Sequence, residues 1–354
     1  MGEPPRFVRP LAFYDVWQAA EGIPVHKAFH VEDLSQVELG DWKRFGCRAA
    51  FANLADPHLT TAVLLEIPPG AETAPVHHLF EGMVFCVRGH GETTVGSGGR
   101  PAVTVSWGER SLFSPPLNTT YRHRNLDAAA PARLLMVCNA PLVLSLFHNE
   151  RFVFGDDFAF EDRFSGQPDF FAGAGRHLGG RVWRTNFVPD VLAFSLIKWA
   201  KRGSGASSFH LSVSDNTMAA HISEFEVGTY KKGHRHGPGA HVVILRGEGY
   251  SLLWAEGQPR VRVDWRPGSM FSPPEWWYHQ HFNTSAEPAR YLALRRGGSP
   301  EHPLRIGMTG GSEDTGGDQI EYEREDPAIR AEYERELARR GIALRMDEGA
   351  EVAG

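Results

Sequence analysis

Apolar and β-branched residues in this chain come mostly in short runs that Gly, Pro and Asn residues interrupt. Residues 84–87, 242–245 and 261–263 are such runs, and helical periodicity is absent around them. Short apolar runs between turn residues are typical of antiparallel strands. The pattern therefore predicts a chain built mainly from β-strands.

Two segments outside these runs have helical spacing. Residues 13–21 are weakly helical, and residues 327–340 alternate charges at helical intervals. The second segment places four residues on one face, namely Ile329, Tyr333, Glu336 and Leu337. We interpret this charged helix as a solvated element or as a cap against another subunit. Residues 146–200 are rich in Phe and Asp, and we expect such an aromatic-dense connection to pack on the rest of the fold.

A long internal repeat organises the chain. Residues 70–125 reappear as residues 228–283 without a gap, at a constant offset of 158, and 18 of the 56 aligned positions are identical. The identities include Gly89 with Gly247, Trp107 with Trp265, and the run Phe-Ser-Pro-Pro that begins at positions 113 and 271. A repeat of this length indicates a duplicated domain.

The repeat and the strand pattern together predict an all-β fold with two tandem jelly-roll β-barrels in one chain and short helical extensions at both ends. The predicted division is an N-terminal extension, a first barrel, a connecting segment, a second barrel and a C-terminal tail with the charged helix. These parts span residues 1–45, 46–145, 146–205, 206–300 and 301–354.

Composition and charge narrow the partners. The chain has 354 residues, a net charge of -6 and no basic cluster interleaved with aromatic residues, so we expect no nucleic-acid partner. No apolar stretch approaches the roughly 18 residues that a membrane span needs, and the first residues lack an apolar signal core. The three cysteines show no CxxC spacing, which fits a reducing compartment. We therefore expect a cytoplasmic protein that binds a small neutral or anionic molecule.

Three histidines in the second repeat copy have the spacing of metal ligands. His234 and His236 are two residues apart, so on a strand both imidazoles point to one side, and His279 comes from a later strand. Imidazole suits iron, copper, nickel and zinc, and three neutral histidines leave coordination positions open for substrate and dioxygen. The pattern predicts a mononuclear metal site.

These residues resemble the two motifs of the cupin superfamily, G-x5-H-x-H-x3-E-x6-G and G-x5-P-x-G-x2-H-x3-N. The second copy supplies Gly228, His234, His236 and Gly247 for the first motif, and Gly268, Pro274, His279 and Asn283 for the second. Ala240 stands at the Glu position and Trp276 at the second Gly position. The resemblance implies that the two barrels are cupin barrels.

Within that superfamily, the stretch HRHGPGAHVVILRGEG is similar to the metal motif of gentisate 1,2-dioxygenases and their salicylate-cleaving relatives, as is PPEWWYHQHFN. The resemblance implies that Fe(II) is held by three histidines and that an aromatic ring is opened with O2. Val242 and Gln280 depart from it, because that family usually has Arg and Asp there. These departures bear on the substrate.

The first copy has lost most of the ligand set. Val76 and Tyr121 stand at two ligand positions, Gly82 at the Glu position, and only His78 remains. One imidazole cannot hold iron alone, so we predict a metal-free, structural N-terminal barrel. A makeshift site is the alternative, built from His77, His78, Glu81 and His123.

The degenerate copy also serves as an internal control for the other candidate residues. Arg88 matches Arg246 and His123 matches His281, so residues shared by both copies are expected to be architectural. For Arg246 a structural salt bridge and a substrate contact both stay open, and for His281 so do a proton donor and a partner of the metal ligands. Residues specific to the second copy are the candidates for binding substrate, namely Tyr230, Lys231, Lys232, His241, Trp277 and Gln280.

Three functions stay open at this stage. The first is an Fe(II) dioxygenase of aromatic compound catabolism that cleaves a hydroxylated aromatic acid, or a related enolisable substrate, with O2. The second is an isomerase, decarboxylase or C–C lyase that uses Mn, Ni or Zn, and the third is a non-enzymatic binding protein. The complete histidine set favours an enzyme, because a purely structural barrel has no need to bury three imidazoles around one point. By analogy with other bicupins we also expect a homo-oligomer.

Overall fold

A computed structural model describes residues 11–55, 58–237, 239–297 and 312–346. Within these ranges the chain is mainly β-strand with four α-helices and two short 3₁₀-helices. None of the described helices is long and apolar enough to cross a membrane.

The N-terminal barrel follows helix α1 (Phe13–Ala20), which confirms the helix predicted around residue 13. The strands up to the end of this barrel are β1 (Val25–Ala28), β2 (His30–Val31), β3 (Gly40–Trp42), β4 (Cys47–Leu54), β5 (Thr61–Ile67), β6 (Gly82–Arg88), β7 (Gly91–Gly96), β8 (Val103–Trp107), β9 (Leu112–Phe113), β10 (Thr120–Asn125) and β11 (Ala132–Cys138). An eight-stranded sheet has the order β1-β4-β5-β11-β6-β9 followed by the strand Phe187–Val188 of the connecting segment, with β3 on β4, and a three-stranded sheet has the order β10-β7-β8.

The connecting segment packs on the barrels, as its aromatic content predicts. Val153, Phe164 and Phe171 are buried in the core of the N-terminal barrel. The segment contains α2 (Ala140–Phe147), α3 (Glu150–Gly155), β12 (Gly175–Gly179), β13 (Val182–Thr185), β14 (Phe187–Val188), β15 (Ile197–Lys198) and the 3₁₀-helix Ala200–Arg202.

The C-terminal barrel repeats the same design. Its large sheet has the order β12-β13-β16-β17-β23-β18-β21-β2 with β15 on β16, and its small sheet has the order β20-β19-β22. The remaining elements are β16 (Ser207–Val213), β17 (Met218–Phe225), β18 (His241–Arg246), β19 (Gly249–Trp254), β20 (Val261–Trp265), β21 (Met270–Phe271), β22 (Tyr278–Asn283), β23 (Ala289–Arg296), the 3₁₀-helix Glu313–Thr315 and α4 (Pro327–Arg340). The all-β fold with two jelly-roll barrels is thus confirmed.

The repeat offset is preserved in the backbone pairing. Strands β7, β8, β9 and β10 recur 158 residues later with identical bounds as β19, β20, β21 and β22. Cross-strand partners recur as well, since His123 pairs with Thr93 and His281 pairs with Ser251. In β8 the buried residues alternate with exposed ones, as expected for a sheet with one face on the core and one on solvent.

A shared apolar core joins the two barrels. Leu135 of β11 and Leu292 of β23 lie in the same buried cluster, together with neighbours from both large sheets. Two strands also cross over, because β2 pairs with β21 of the C-terminal barrel and β14 pairs with β9 of the N-terminal barrel. The interface between the barrels is therefore both packed and hydrogen-bonded.

Helix α4 covers the small sheet of the C-terminal barrel. Its N-cap Asp326 accepts a hydrogen bond from Ala328 N at 2.9 Å, and the C-cap Gly341, with φ of 67°, follows the last helical residue. The buried face is the predicted one, Ile329, Tyr333, Glu336 and Leu337. The expectation of a solvated or subunit-capping helix is corrected, since this face packs against Tyr230, Tyr250 and Phe282 of its own chain. The apolar positions on the outer side of β19 and β22 supply the partner surface.

Close packing of indole on glycine is duplicated in the small sheets. A Cβ at Gly249 would lie 1.9 Å from Phe282 O and 2.6 Å from the Trp265 ring, and a Cβ at Gly91 would meet Arg124 O and Trp107 in the same way. Separations under 3 Å force the neighbours to move. Glycine at these positions allows the tryptophan to cover the strand.

We predict that Gly249→Ala destabilises the protein by about 1–3 kcal/mol or more, because the backbone oxygen of Phe282 cannot yield as a side chain does. Gly108→Ala is the matched control, since a Cβ there meets nothing within 4 Å. Urea unfolding of both variants measures the difference. Equal free energies of unfolding for the two variants would show that the close approach is unimportant.

Candidate metal centre and cavity

Backbone pairing brings the candidate ligands together. His234 N donates to His279 O at 3.1 Å, and His279 N donates to His234 O at 2.8 Å. The pair joins the loop before β18 to the start of β22, and His236 follows two residues later. The centroid of the His279 imidazole lies 4.2 Å from that of His234 and 4.8 Å from that of His236. One ligand nitrogen from each of the three side chains falls within 4.8 Å of the others.

Hydrogen bonds fix the tautomers of two of these imidazoles, those of His234 and His279. His234 Nδ1 lies 3.0 Å from Lys232 O, and His279 Nδ1 lies 3.2 Å from Trp277 O. A carbonyl only accepts, so each Nδ1 carries the proton and each Nε2 keeps a lone pair. Backbone carbonyls of this kind commonly orient metal-bound histidines.

Burial keeps the imidazoles neutral. Desolvation lowers the pKa of His279 to about 4, opposed by its bond to Trp277 O and assisted by the charge of Arg202. Burial, with Arg202 and the other two imidazoles, holds the pKa of His234 well below its ordinary value. Neutral imidazole is the form that binds a metal. The three-imidazole donor set, with neutral His234 and His279 that each keep a free Nε2 lone pair, therefore fits a divalent transition metal.

The N-terminal barrel shows the opposite arrangement at the same place. His78 Nδ1 donates to Phe80 O at 2.8 Å, and its Nε2 accepts from Tyr121 OH at 2.8 Å. Both ring nitrogens are thus occupied by protein groups. Glu81, which belongs to the alternative makeshift site, is engaged by protein groups, because it pairs with Arg163 at 2.8 Å and accepts from Thr217 N at 2.7 Å. Among the described residues, the histidines of the C-terminal barrel make the only three-ligand cluster.

A cavity of about 520 Å³ opens beside His234 and His236. Its walls carry many basic groups and two aromatic rings. The lining side chains include Arg181, Trp199, Lys201, Arg202, His210, His221, Ser223, Lys231, Lys232, Tyr291, Arg295, Gln319 and Glu321. A cavity of this size accommodates a small organic molecule.

Two of the predicted substrate-binding residues, Lys231 and Lys232, line this cavity. Lys232 forms an ion pair with Glu321. Lys231 is 1% exposed, and its ammonium donates to Ser223 Oγ and to Tyr291 OH.

Tyr230 and Gln280 lie on the other face of the small sheet, which corrects their predicted place. Gln280 sits between the inward-facing His279 and His281 on β22, so alternation turns it outward. Its amide donates to Glu325 Oε2 at 2.9 Å, and the Tyr230 hydroxyl also donates to Glu325. Both residues serve the contact between the barrel and the C-terminal tail.

His241, Trp277 and Arg246 do not line the cavity either. His241 shares a face of β18 with Val243, which belongs to the core between the barrels. Trp277 packs at the edge of the barrel core, near Phe29. Arg246 forms a salt bridge, the structural one of its two predicted roles. It pairs with Glu224 at 2.6 Å, as Arg88 pairs with Glu66 at 2.8 Å in the N-terminal barrel.

His281 belongs to a duplicated hydrogen-bond chain. Trp265 Nε1 donates to Ser251 Oγ at 3.0 Å, and that hydroxyl lies 2.8 Å from His281 Nδ1. The N-terminal barrel has the same chain from Trp107 through Thr93 to His123, at 2.9 and 2.7 Å. Because a barrel without a ligand set retains this chain, the duplication favours a structural role for His281 over proton donation.

Sequence reasoning missed the residues that come from outside the repeat. Arg181, Trp199 and Arg202 belong to the connecting segment, and Gln319 and Glu321 belong to the tail. Gln319 pairs with His234 as an isolated bridge, so the tail forms a wall directly beside a candidate ligand. The basic residues around Trp199 are the one sequence feature that could have indicated this part of the cavity. Nothing in their spacing links them to the histidines.

Comparison with known proteins establishes the fold. Sequence comparison with protein-family models and with curated proteins finds no match. Structures of Bacillus subtilis oxalate decarboxylase are similar over most of the chain. A single-residue variant has a TM-score of 0.51 at 14% identity, covering 77% of this chain and 78% of its own. A structure from a study of its Mn(II) centres has a TM-score of 0.50 at 15% identity, with the same coverage.

This chain and these structures share a fold of two jelly-roll barrels. At this level of identity the likeness concerns the fold, and it assigns no chemistry to this chain.

We predict that His236→Ala removes stoichiometric metal binding. Removing a residue that only hydrogen-bonds to a metal ligand typically lowers metal affinity roughly 10- to 100-fold. Removing the ligand His236 itself should lower the affinity by more than this. Metal titration followed by elemental analysis measures it. His210→Ala is the control, because His210 lines the same cavity outside the ligand cluster. Retention of one metal per chain in His236→Ala would contradict the assignment.

Acid should destabilise the protein through its buried neutral histidines. Burial lowers the pKa of His241 to about 4, against about 6.5 in the unfolded chain. Between these values the unfolded state binds more protons, so the free energy of unfolding falls as the pH falls from 6.5 toward 4.

We predict that His241→Leu reduces the loss of unfolding free energy between pH 7.5 and pH 5.5 by about 1 kcal/mol. The comparison of two pH values cancels the packing change that the substitution itself causes. Urea unfolding at both values measures the slope, with the exposed His177→Leu as control. An unchanged slope in His241→Leu would disprove the prediction.

Proposed function

We propose that the C-terminal barrel is the active centre of a metal-dependent enzyme that acts on an organic acid. The observation that supports this most strongly is the three-histidine cluster, two of whose members, His234 and His236, line a cavity with a surplus of basic side chains. Three protein ligands leave positions for substrate, as in catalytic metal sites. Basic walls favour a substrate with a carboxylate.

Each part of the cavity has a task in this proposal. His234, His236 and His279 hold the metal, which when bound supplies Lewis acidity toward a substrate oxygen and, as iron, oxygen chemistry. Lys231 is held in place by Ser223 and Tyr291 and presents its charge to the acid group. The segment with Gln319 and Glu321 closes one side and limits water.

The first candidate reaction is oxygen-dependent cleavage of a hydroxylated aromatic acid with Fe(II). The similarity of the histidine motif to gentisate 1,2-dioxygenases supports it, as does Ala240 in place of a carboxylate ligand. The cavity volume of about 520 Å³ also suits a substituted ring.

The second candidate reaction is decarboxylation of an organic acid with Mn(II). The structural neighbours are oxalate decarboxylases, and the name of one refers to Mn(II) centres. The basic surplus of the cavity agrees with an acid substrate in this case too.

One experiment separates the two reactions. Protein reconstituted anaerobically with Fe(II) or with Mn(II) is given gentisate, salicylate, hydroxynaphthoate, a β-diketone, oxalate and longer dicarboxylates. Ring cleavage consumes one O2 per substrate, because both oxygen atoms enter the product, whereas decarboxylation releases CO2 without matching net oxygen consumption. We expect one of these signals with one metal, and its loss in His236→Ala.

His210→Ala serves here as a matched variant that keeps the ligand cluster. Undiminished turnover by protein stripped of metal would contradict the proposal, and so would the absence of metal uptake by the wild type.

A further inference from the structure

The cavity concentrates positive charge in a chain that is negative overall. Six lining residues are Lys or Arg and one is acidic, whereas the whole chain has a net charge of -6. The six are Arg181, Lys201, Arg202, Lys231, Lys232 and Arg295, and the acid is Glu321. A charge surplus confined to a concave site attracts anions.

Three of these cations lack a carboxylate partner among the described residues. Arg181 donates to Ser208 Oγ at 2.5 Å, Arg202 donates to Gln319 Oε1 at 3.2 Å, and Lys231 donates to two hydroxyls. Glu321 is engaged with Lys232. Lys231 is buried, and Arg181 and Arg202 are partly buried. Cations that are shielded from water without counter-ions are costly to a fold. An arrangement that retains them points to an anionic ligand.

Two of the guanidinium groups are arranged around one indole. The Cζ atom of Arg181 lies 3.5 Å from the centroid of the Trp199 ring, and that of Arg202 lies 5.5 Å from it. Stacking on an aromatic face holds a guanidinium group in a fixed plane and leaves its edge N–H groups available. A planar fork held in this way matches a carboxylate.

The two groups differ in their position relative to the histidine cluster. Arg202 donates to Gln319, which bridges to His234, and Arg202 O accepts from Lys232 N at 3.0 Å. Arg181 instead donates to Ser208 on β16. Arg202 therefore lies beside the segment that carries His234, and Arg181 extends the basic wall along β16.

We propose that the substrate carries two acid groups, one that reaches the histidine cluster and a second that binds at Arg181 and Arg202 beside Trp199. This inference rests on the proposed function for the first group, since that group binds at the metal. It narrows the substrate class to a dicarboxylic acid with a spacer, because the cavity is far larger than two adjoining carboxylates require.

Calorimetric titration at fixed ionic strength tests this with metal-loaded and metal-free full-length protein. The probes are benzoate, terephthalate, the linear diacids from malonate to adipate with matched monoacids, and 4-phosphonobenzoate. We expect at least one diacid to bind about tenfold or more tightly than its monoacid. Tighter binding of 4-phosphonobenzoate than of every diacid would overturn the choice of a second carboxylate.

Substitutions locate the second acid group. Arg181→Gln and Arg202→Gln should each reduce the diacid preference about tenfold while monoacid binding changes less. Arg181→Lys keeps the charge without the planar fork and should give an intermediate loss. Arg122→Gln, on the exposed face of the N-terminal barrel, is the control and should leave the preference unchanged.

Thermal unfolding shows whether each variant is folded, and removal of one like charge should keep or raise the midpoint. Equal affinity for diacids and monoacids in the wild type would overturn the inference, as would full preference in both glutamine variants. If the protein binds no metal but shows a diacid preference that depends on Arg181, the site for the second acid group is supported and the metal centre is rejected. If the protein binds stoichiometric metal but shows no diacid preference, the metal centre is supported and the site for the second acid group is rejected.

Discussion

The candidate site depends on one backbone interaction, the reciprocal hydrogen bonds between His234 and His279 at 3.1 and 2.8 Å. These bonds join a loop to a strand of the small sheet, so two ligands separated by more than forty residues meet without relying on flexible side chains. His236 and the tail residue Gln319 are then positioned from the same loop, since Gln319 also bridges to His234. The site is thus built on main-chain geometry, and this is how a scaffold holds ligands within narrow limits.

Electrostatic and apolar forces act in different places in this molecule. The core between the barrels, which contains Leu135 and Leu292, is apolar and supplies the stability. The cavity lies at the other side of the C-terminal barrel, where burial suppresses the charge of its histidines but leaves guanidinium groups ionised. Neutral imidazoles beside permanent cations suit the proposed binding of a metal and an anion in one cavity.

The duplicated part of the fold could be predicted from sequence because identical turns and tryptophans occur at a constant offset. Strands β7 to β10 reappear as β19 to β22 for this reason. The comparison of the two copies also indicated a structural role for Arg246, because Arg88 stands at the equivalent position, and both arginines form ion pairs. The prediction that Gln280 lines the cavity was wrong. Gln280 lies between two inward-facing histidines, and because side chains alternate along a strand, it faces outward. Arg181, Trp199 and Glu321 could not be found, since they come from segments outside the repeat and only the tertiary fold brings them to the histidines.

The hydrogen bond from Tyr121 to His78 has a consequence for any attempt to build a second histidine cluster in the N-terminal barrel. A buried imidazole with an idle lone pair costs free energy, and here the Tyr121 hydroxyl satisfies that lone pair. Replacing Tyr121 by histidine would remove this hydroxyl, and Val76 would still stand where the C-terminal barrel has His234. Two positions would therefore have to change together before three imidazoles could meet there, so the sequence of the N-terminal barrel lies two substitutions away from a second ligand set.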